Sequence, residues 1–160
     1  METNRSLVES LSLHKTDIMS KLKEVVAGIK DARELRRISK LSQELRDLPI
    51  HAGHPKNQPM RTEDGNVSLT VHGKNMMRLQ THQAIDMDTD ASTLITVRWD
   101  ENGWLEAVEA TRRTHSMWID TEESWYRGGG TTEDTSTMPR RSVIDELEFA
   151  ARQLTKFTVS

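Results

Sequence analysis

Asp86, Asp88 and Asp90 alternate along the chain. Alternate carboxylates at the head of a calcium loop converge on a hard cation, so this triplet is the first place to look for metal chemistry. The pattern stops there. The sixth position of such a loop is Ala91 rather than the glycine its sharp turn needs, and the twelfth is Val97 rather than a bidentate glutamate. The triplet reads as an acidic turn leading into a strand. His51 and His54 stand three apart in a stretch rich in proline and glycine, and His72, His82 and His115 are too scattered to complete a ligand set. Gly128-Gly129-Gly130 lacks the Gly-Lys-Ser/Thr and the strand–loop–helix setting of a phosphate loop, so it reads as a surface loop. His115 lies upstream of Asp120, Glu122 and Glu123, and a carboxylate beside an imidazole can move a proton. No nucleophile, metal set or cofactor fingerprint accompanies them. The sequence assigns no catalytic residue, no metal and no cofactor. A small enzyme with a site near His115 and Asp120 stays as one alternative.

A second pattern is electrostatic. Lys30, Arg33, Arg37 and Lys40 recur at helical spacing, with Arg36 beside them, and only Asp31 and Glu34 offset them locally. Phosphate contacts need such a stripe. Solvated helix faces produce it too, and no aromatic interleaves it for base stacking. The whole chain carries a formal net charge of −3, which argues against wholesale nucleic-acid binding. A nucleic-acid-associated factor using Arg33, Arg36, Arg37 and Lys40 is therefore the second alternative, with weak affinity expected.

Composition narrows the classes further. Cysteine is absent, which removes disulfides, thiol catalysis and thiolate-bound zinc. No apolar run approaches a membrane span and no secretory signal pattern opens the chain, so a cytoplasmic location is expected, with no membrane partner. In 160 residues, 34% are hydrophobic and 29% charged, which leaves a small core for one domain or one domain with an arm. All seven aromatics, from Trp99 to Phe157, lie in the later part of the sequence. Aromatics bury large areas and gather in cores, so the first 50 or so residues are something other than the main core.

The elements follow from periodicity. Ser6 and Glu9 form a capping-box pair that opens a helical stretch over 6–48. Ile18, Leu22, Val25 and Ile29 make one narrow apolar stripe, and Ile38, Leu41 and Leu45 make another. Both are of coiled-coil width rather than the broad face of a globular helix. The gap from Ile29 to Ile38 puts them out of register, so the stretch is either one long helix with a stutter or a helical hairpin turning near Lys30, the hairpin being slightly preferred. Residues 49–66, punctuated by Pro49, Gly53, Pro55 and Pro59, read as a linker. From Val67 to Asp120 alternation and turn signals predict about five antiparallel strands, the last a short one over 116–120. Asn102-Gly103 closes a hairpin across which Trp99 and Trp104 face each other. Residues 127–139 read as a glycine- and threonine-rich loop. Ser142 then caps a last helix whose broad apolar face, including Leu147 and Phe157, suits the covering of a sheet.

The expected architecture is α+β: a helical oligomerisation arm (1–48), a linker (49–66) and an antiparallel domain with a terminal helix (67–160). A lone narrow-striped helix is marginal in water. The expectation is therefore a non-enzymatic, cytoplasmic interaction or assembly protein. It self-associates, or binds a protein partner, through Ile18, Leu22, Val25, Ile29, Ile38, Leu41 and Leu45.

Overall fold

The computed structural model describes the backbone of residues 2–128 and 135–159, with side chains described over 15–128 and 136–156. The architecture is α+β. Helix α1 runs unbroken over Glu2–His51. Seven strands follow: β1 (Met60–Arg61), β2 (Val67–His72), β3 (Met76–Ala84), β4 (Thr89–Trp99), β5 (Leu105–Ser116), β6 (Asp120–Gly128) and β7 (Thr135–Ser136). Helix α2 (Arg140–Val159) closes the chain. The strands form one antiparallel meander in chain order, each paired with its sequence neighbour. Five of them are long, and β1 and β7 are two-residue edge strands.

The first 50 residues form one helix, not a hairpin, and the reason lies in the nine-position gap. Nine residues advance an α-helix by about two and a half turns. The stripe that ends at Ile29 therefore resumes at Ile38 on the opposite face of the same helix, with no turn required. The helix passes Pro49 and ends two residues later. There the His54 N–H donates to the Pro49 carbonyl (2.9 Å) and the Gly53 N–H to Ile50 (3.1 Å), with Gly53 at φ 68°. This is a Schellman stop, and glycine supplies its left-handed residue without steric cost.

The contacts divide the chain into two compact units, 1–36 and 37–160. The last turns of α1 thus belong with the sheet, whereas the sequence puts the division near residue 48. In the larger unit the sheet buries one face. Leu69, Leu79, Ile95 and Ala110 lie side by side across β2–β5, and Trp125 continues the row on β6. All five are at most 1% exposed. Val143, Ile144, Leu147, Ala150 and Leu154 of α2 are equally buried, which confirms the broad face expected of this helix; the side chain of Phe157 lies outside the described residues. Alongside α2 lies the end of α1. Arg37 Nη2 meets Glu148 Oε1 of α2 at 3.3 Å, and the Arg46 guanidinium stacks 4.6 Å from the centre of the inward Trp99 ring. Helix α2 and the last turns of α1 lie on the same side of the sheet, and its other side faces water, as antiparallel sheets permit.

Several local expectations are corrected. Trp99 pairs with Leu105 rather than with Trp104, because the register shifts at Arg98/Trp99. Trp104 instead sits in the turn, 73% exposed, its N–H donating to Asp100 Oδ1 at 2.9 Å. The short strand expected over 116–120 is split: Ser116 ends β5, Asp120 starts β6, and the turn lies between. Gly128 is not loop but the end of β6 opposite Ala107, where an added Cβ would stand 2.8 Å from the Ala107 Cβ. Gly129 and Gly130 lie outside the described residues. The segments read as linker and loop each contribute one buried anchor, Met60 and Met138. Helix α2 begins at Arg140, directly after Pro139, so Ser142 lies in its first turn instead of capping it.

Candidate functional site

The structure separates the two apolar stripes of α1 by burial. Ile38, Leu41 and Leu45 are 0–3% exposed, within the hydrophobic core of the larger unit. They are spent inside one chain and cannot form a partner surface, which corrects their assignment from the sequence. Ile18, Leu22, Val25 and Ile29 are 50–58% exposed, and Met19 and Val26 beside them are as open. Their 4, 3, 4 spacing keeps them on one side of the helix, as the d and a positions of consecutive heptads.

Half-exposed Ile, Leu and Val are unremarkable one at a time, but a continuous row is not. Fully burying such a side chain is worth about 1.5–3 kcal/mol, and at these exposures roughly half of that is still unrealised. The surroundings are charged and solvated: Lys21 Nζ lies 3.6 Å from Asp17 Oδ2 in an exposed i,i+4 pair. Such pairs support a helix by only a few tenths of a kcal/mol. Residues 15–36 are thus a helix whose apolar row has no cover within the described structure.

Of the basic stripe, Arg33, Arg36 and Lys40 are exposed. Arg37 is exposed as well and pairs at the surface with Glu148 of α2.

His115 and Asp120 do come together. They are opposite each other across β5 and β6, and the imidazole Nδ1 contacts the carboxylate. Their side chains are 71% and 77% exposed on the solvent side of the sheet, with Arg113–Glu122 (3.4 Å) as the next pair along. His82 contacts Ser92 Oγ (2.9 Å) and Asp90 (3.4 Å) on the same outer face. Among the described residues no group of three or more His, Asp or Glu could hold a metal ion. No helix among them is long and apolar enough to cross a membrane.

The polar group that the sequence does not single out is Glu146. It falls on the inward side of α2, 6% exposed. Gln83 Nε2 donates to both of its oxygens (2.8 and 3.0 Å) and Thr81 Oγ1 donates to Oε2 (3.2 Å). Burial pushes its carboxyl above the ordinary carboxylate range, opposed by the nearby Arg112 charge and by these hydrogen bonds. From sequence it is one of several acids at the start of a helix. Only its phase beside Val143 and Leu147 hints that it points inward. Its donors come from neighbouring positions of β3, which makes it a polar clasp between α2 and the sheet.

No protein family, curated protein or solved structure matches this chain.

Proposed function

We propose that this protein is a non-enzymatic assembly protein whose helix α1 pairs, over residues 15–36, with the same segment of a second copy. The observation that carries this reading is the continuous exposed row Ile18, Leu22, Val25 and Ile29, at 50–58% exposure, on a helix continuous with a well-packed domain. The packed turns 37–51 act as a preformed helix nucleus, so the costly first turn is already formed. A partner stripe of the same kind would bury the row as knobs into holes and hold the extension helical. The nucleic-acid reading has less support, because Glu148 offsets the Arg37 charge and no aromatic interleaves the stripe for base stacking.

The natural absence of cysteine allows a direct test. Val25→Cys, in the row, and Ala27→Cys, off it, each introduce a single thiol. Under mild oxidation Val25→Cys forms a disulfide-linked dimer in high yield and Ala27→Cys does not. Equal cross-linking at both positions, or none at either, overturns the reading.

A further inference from the structure

The meander places two hairpin tips side by side. Residues 85–88 join β3 to β4 and residues 117–119 join β5 to β6, and because Thr89 pairs with Ser116 both turns lie at the same end of the sheet. These tips carry Ile85, Met87, Met117, Trp118 and Ile119, exposed by 60, 100, 68, 87 and 64%. Turns normally carry polar residues, and five large apolar side chains on adjoining turns form a patch of the kind that marks an interaction site.

The turns are held in shape. The Ile85 and Asp86 N–H groups both donate to the Thr89 carbonyl (2.9 and 3.2 Å), and the Asp88 N–H donates to Asp86 Oδ1 (2.9 Å). On the other tip the Ser116 N–H donates to the Ile119 carbonyl (3.0 Å), and Ser116 Oγ accepts from the Ile119 N–H (3.1 Å). A patch on preordered turns loses little conformational entropy when it is covered.

Charge names the occupant. Residues 84–90 and 115–121 contain Asp86, Asp88, Asp90 and Asp120 and no lysine or arginine. The partners of Asp90 and Asp120 among the described residues are the imidazoles of His82 and His115. We propose that the paired tips dock a partner protein through a basic amphipathic helix, its apolar side chains seated around Trp118 and its lysines or arginines meeting the aspartate rim. Trp is the residue type most often found at the centre of such contacts, and complementary charge sets orientation and rate of encounter. An anionic lipid surface would be repelled by the same aspartates. The proposal is independent of the self-association of α1.

The test uses the full chain and a fluorescent, fourteen-residue helical peptide of leucine and lysine, followed by anisotropy. The peptide binds the native chain. The double variant Met117→Ser, Trp118→Ser weakens binding by about tenfold or more. Asp86→Asn with Asp88→Asn weakens it severalfold and flattens its salt dependence. Thermal midpoints stay near the native value, because Met117 and Trp118 are largely exposed and Asp86→Asn keeps the Oδ1 that accepts from the Asp88 N–H. Undiminished binding by the serine variant, equal binding of a leucine–glutamate peptide of the same pattern, or loss of binding only on Leu22→Glu would each overturn the proposal. So would co-sedimentation of the chain with phosphatidylcholine or phosphatidylserine vesicles that depends on Trp118.

Discussion

The two halves of α1 share a helix, similar stripe widths and similar residue types, yet one stripe is core and the other is surface. Ile38, Leu41 and Leu45 are buried within a single chain, while Ile18, Leu22, Val25 and Ile29 keep about half of their area in water. An apolar stripe therefore reports a need for cover without reporting who provides it. The difference between the halves is one of phase. The nine-position step puts the two stripes out of phase with one another along the sequence.

Truncation offers the largest contrast. Leu45→Ala should destabilise the larger unit by about 2–5 kcal/mol, the range for large-to-small changes in a core. Leu22→Ala should change urea unfolding by less than about 0.5 kcal/mol when the protein is dilute enough to be a monomer. Similar losses for both, at concentrations where no association occurs, would erase the distinction.

A change of pH should act on the larger unit through Glu146 of α2. Since burial raises the folded pKa of Glu146, the folded state holds a proton that the unfolded chain has already released. The contribution of this carboxyl to stability is therefore fullest below its ordinary value of 4.5 and is lost as pH rises through its higher folded value. Relative to the native chain, Glu146→Gln should become progressively more favourable across that rise, as read from urea midpoints at a series of pH values. A difference between the two proteins that does not vary with pH would mean that the buried carboxyl titrates as it does in the unfolded chain.

The smallest expected effect sharpens the picture of the same interface. Ser42 is fully buried on α1, and its Oγ has no hydrogen-bond partner among the described residues. Removing an unsatisfied buried hydroxyl releases a desolvation cost, so Ser42→Ala should be neutral or stabilising by up to about 1 kcal/mol. A clear loss of stability would show that the hydroxyl is satisfied in solution and contributes to holding α1 on the sheet.

Much of this architecture was legible in advance, for reasons that differ by region. Period-two alternation at Val67, Leu69 and Val71 and the β-branched, apolar run from Thr93 to Trp99 pointed to strands, and in both one face is buried and the other wetter. The i, i+4 pattern around Val143 and Leu147 specified α2 in the same way. The long helix was harder. Gly28 and a phase jump resemble a turn when read locally, and only the arithmetic of a continuous helix shows that no turn is needed. Burial of the second stripe was not legible, since coiled-coil and sheet-covering helices can carry the same three or four residues. The hairpin tips escaped because turn residues are read for backbone conformation, so Met117, Trp118 and Ile119 registered as part of a strand. The inward aim of Glu146 depends on which face of α2 meets β3, and that is a tertiary fact.

Sedimentation equilibrium of the native chain beside Leu22→Glu, Ile29→Glu, at tens of micromolar, tests the central claim most directly. A charge at these positions costs a buried seam heavily and an exposed surface almost nothing. The native chain should sediment as a dimer or larger species and the double variant as a folded monomer with the native circular dichroism of its sheet. A monomeric native chain, or a variant that assembles as the native chain does, would contradict it.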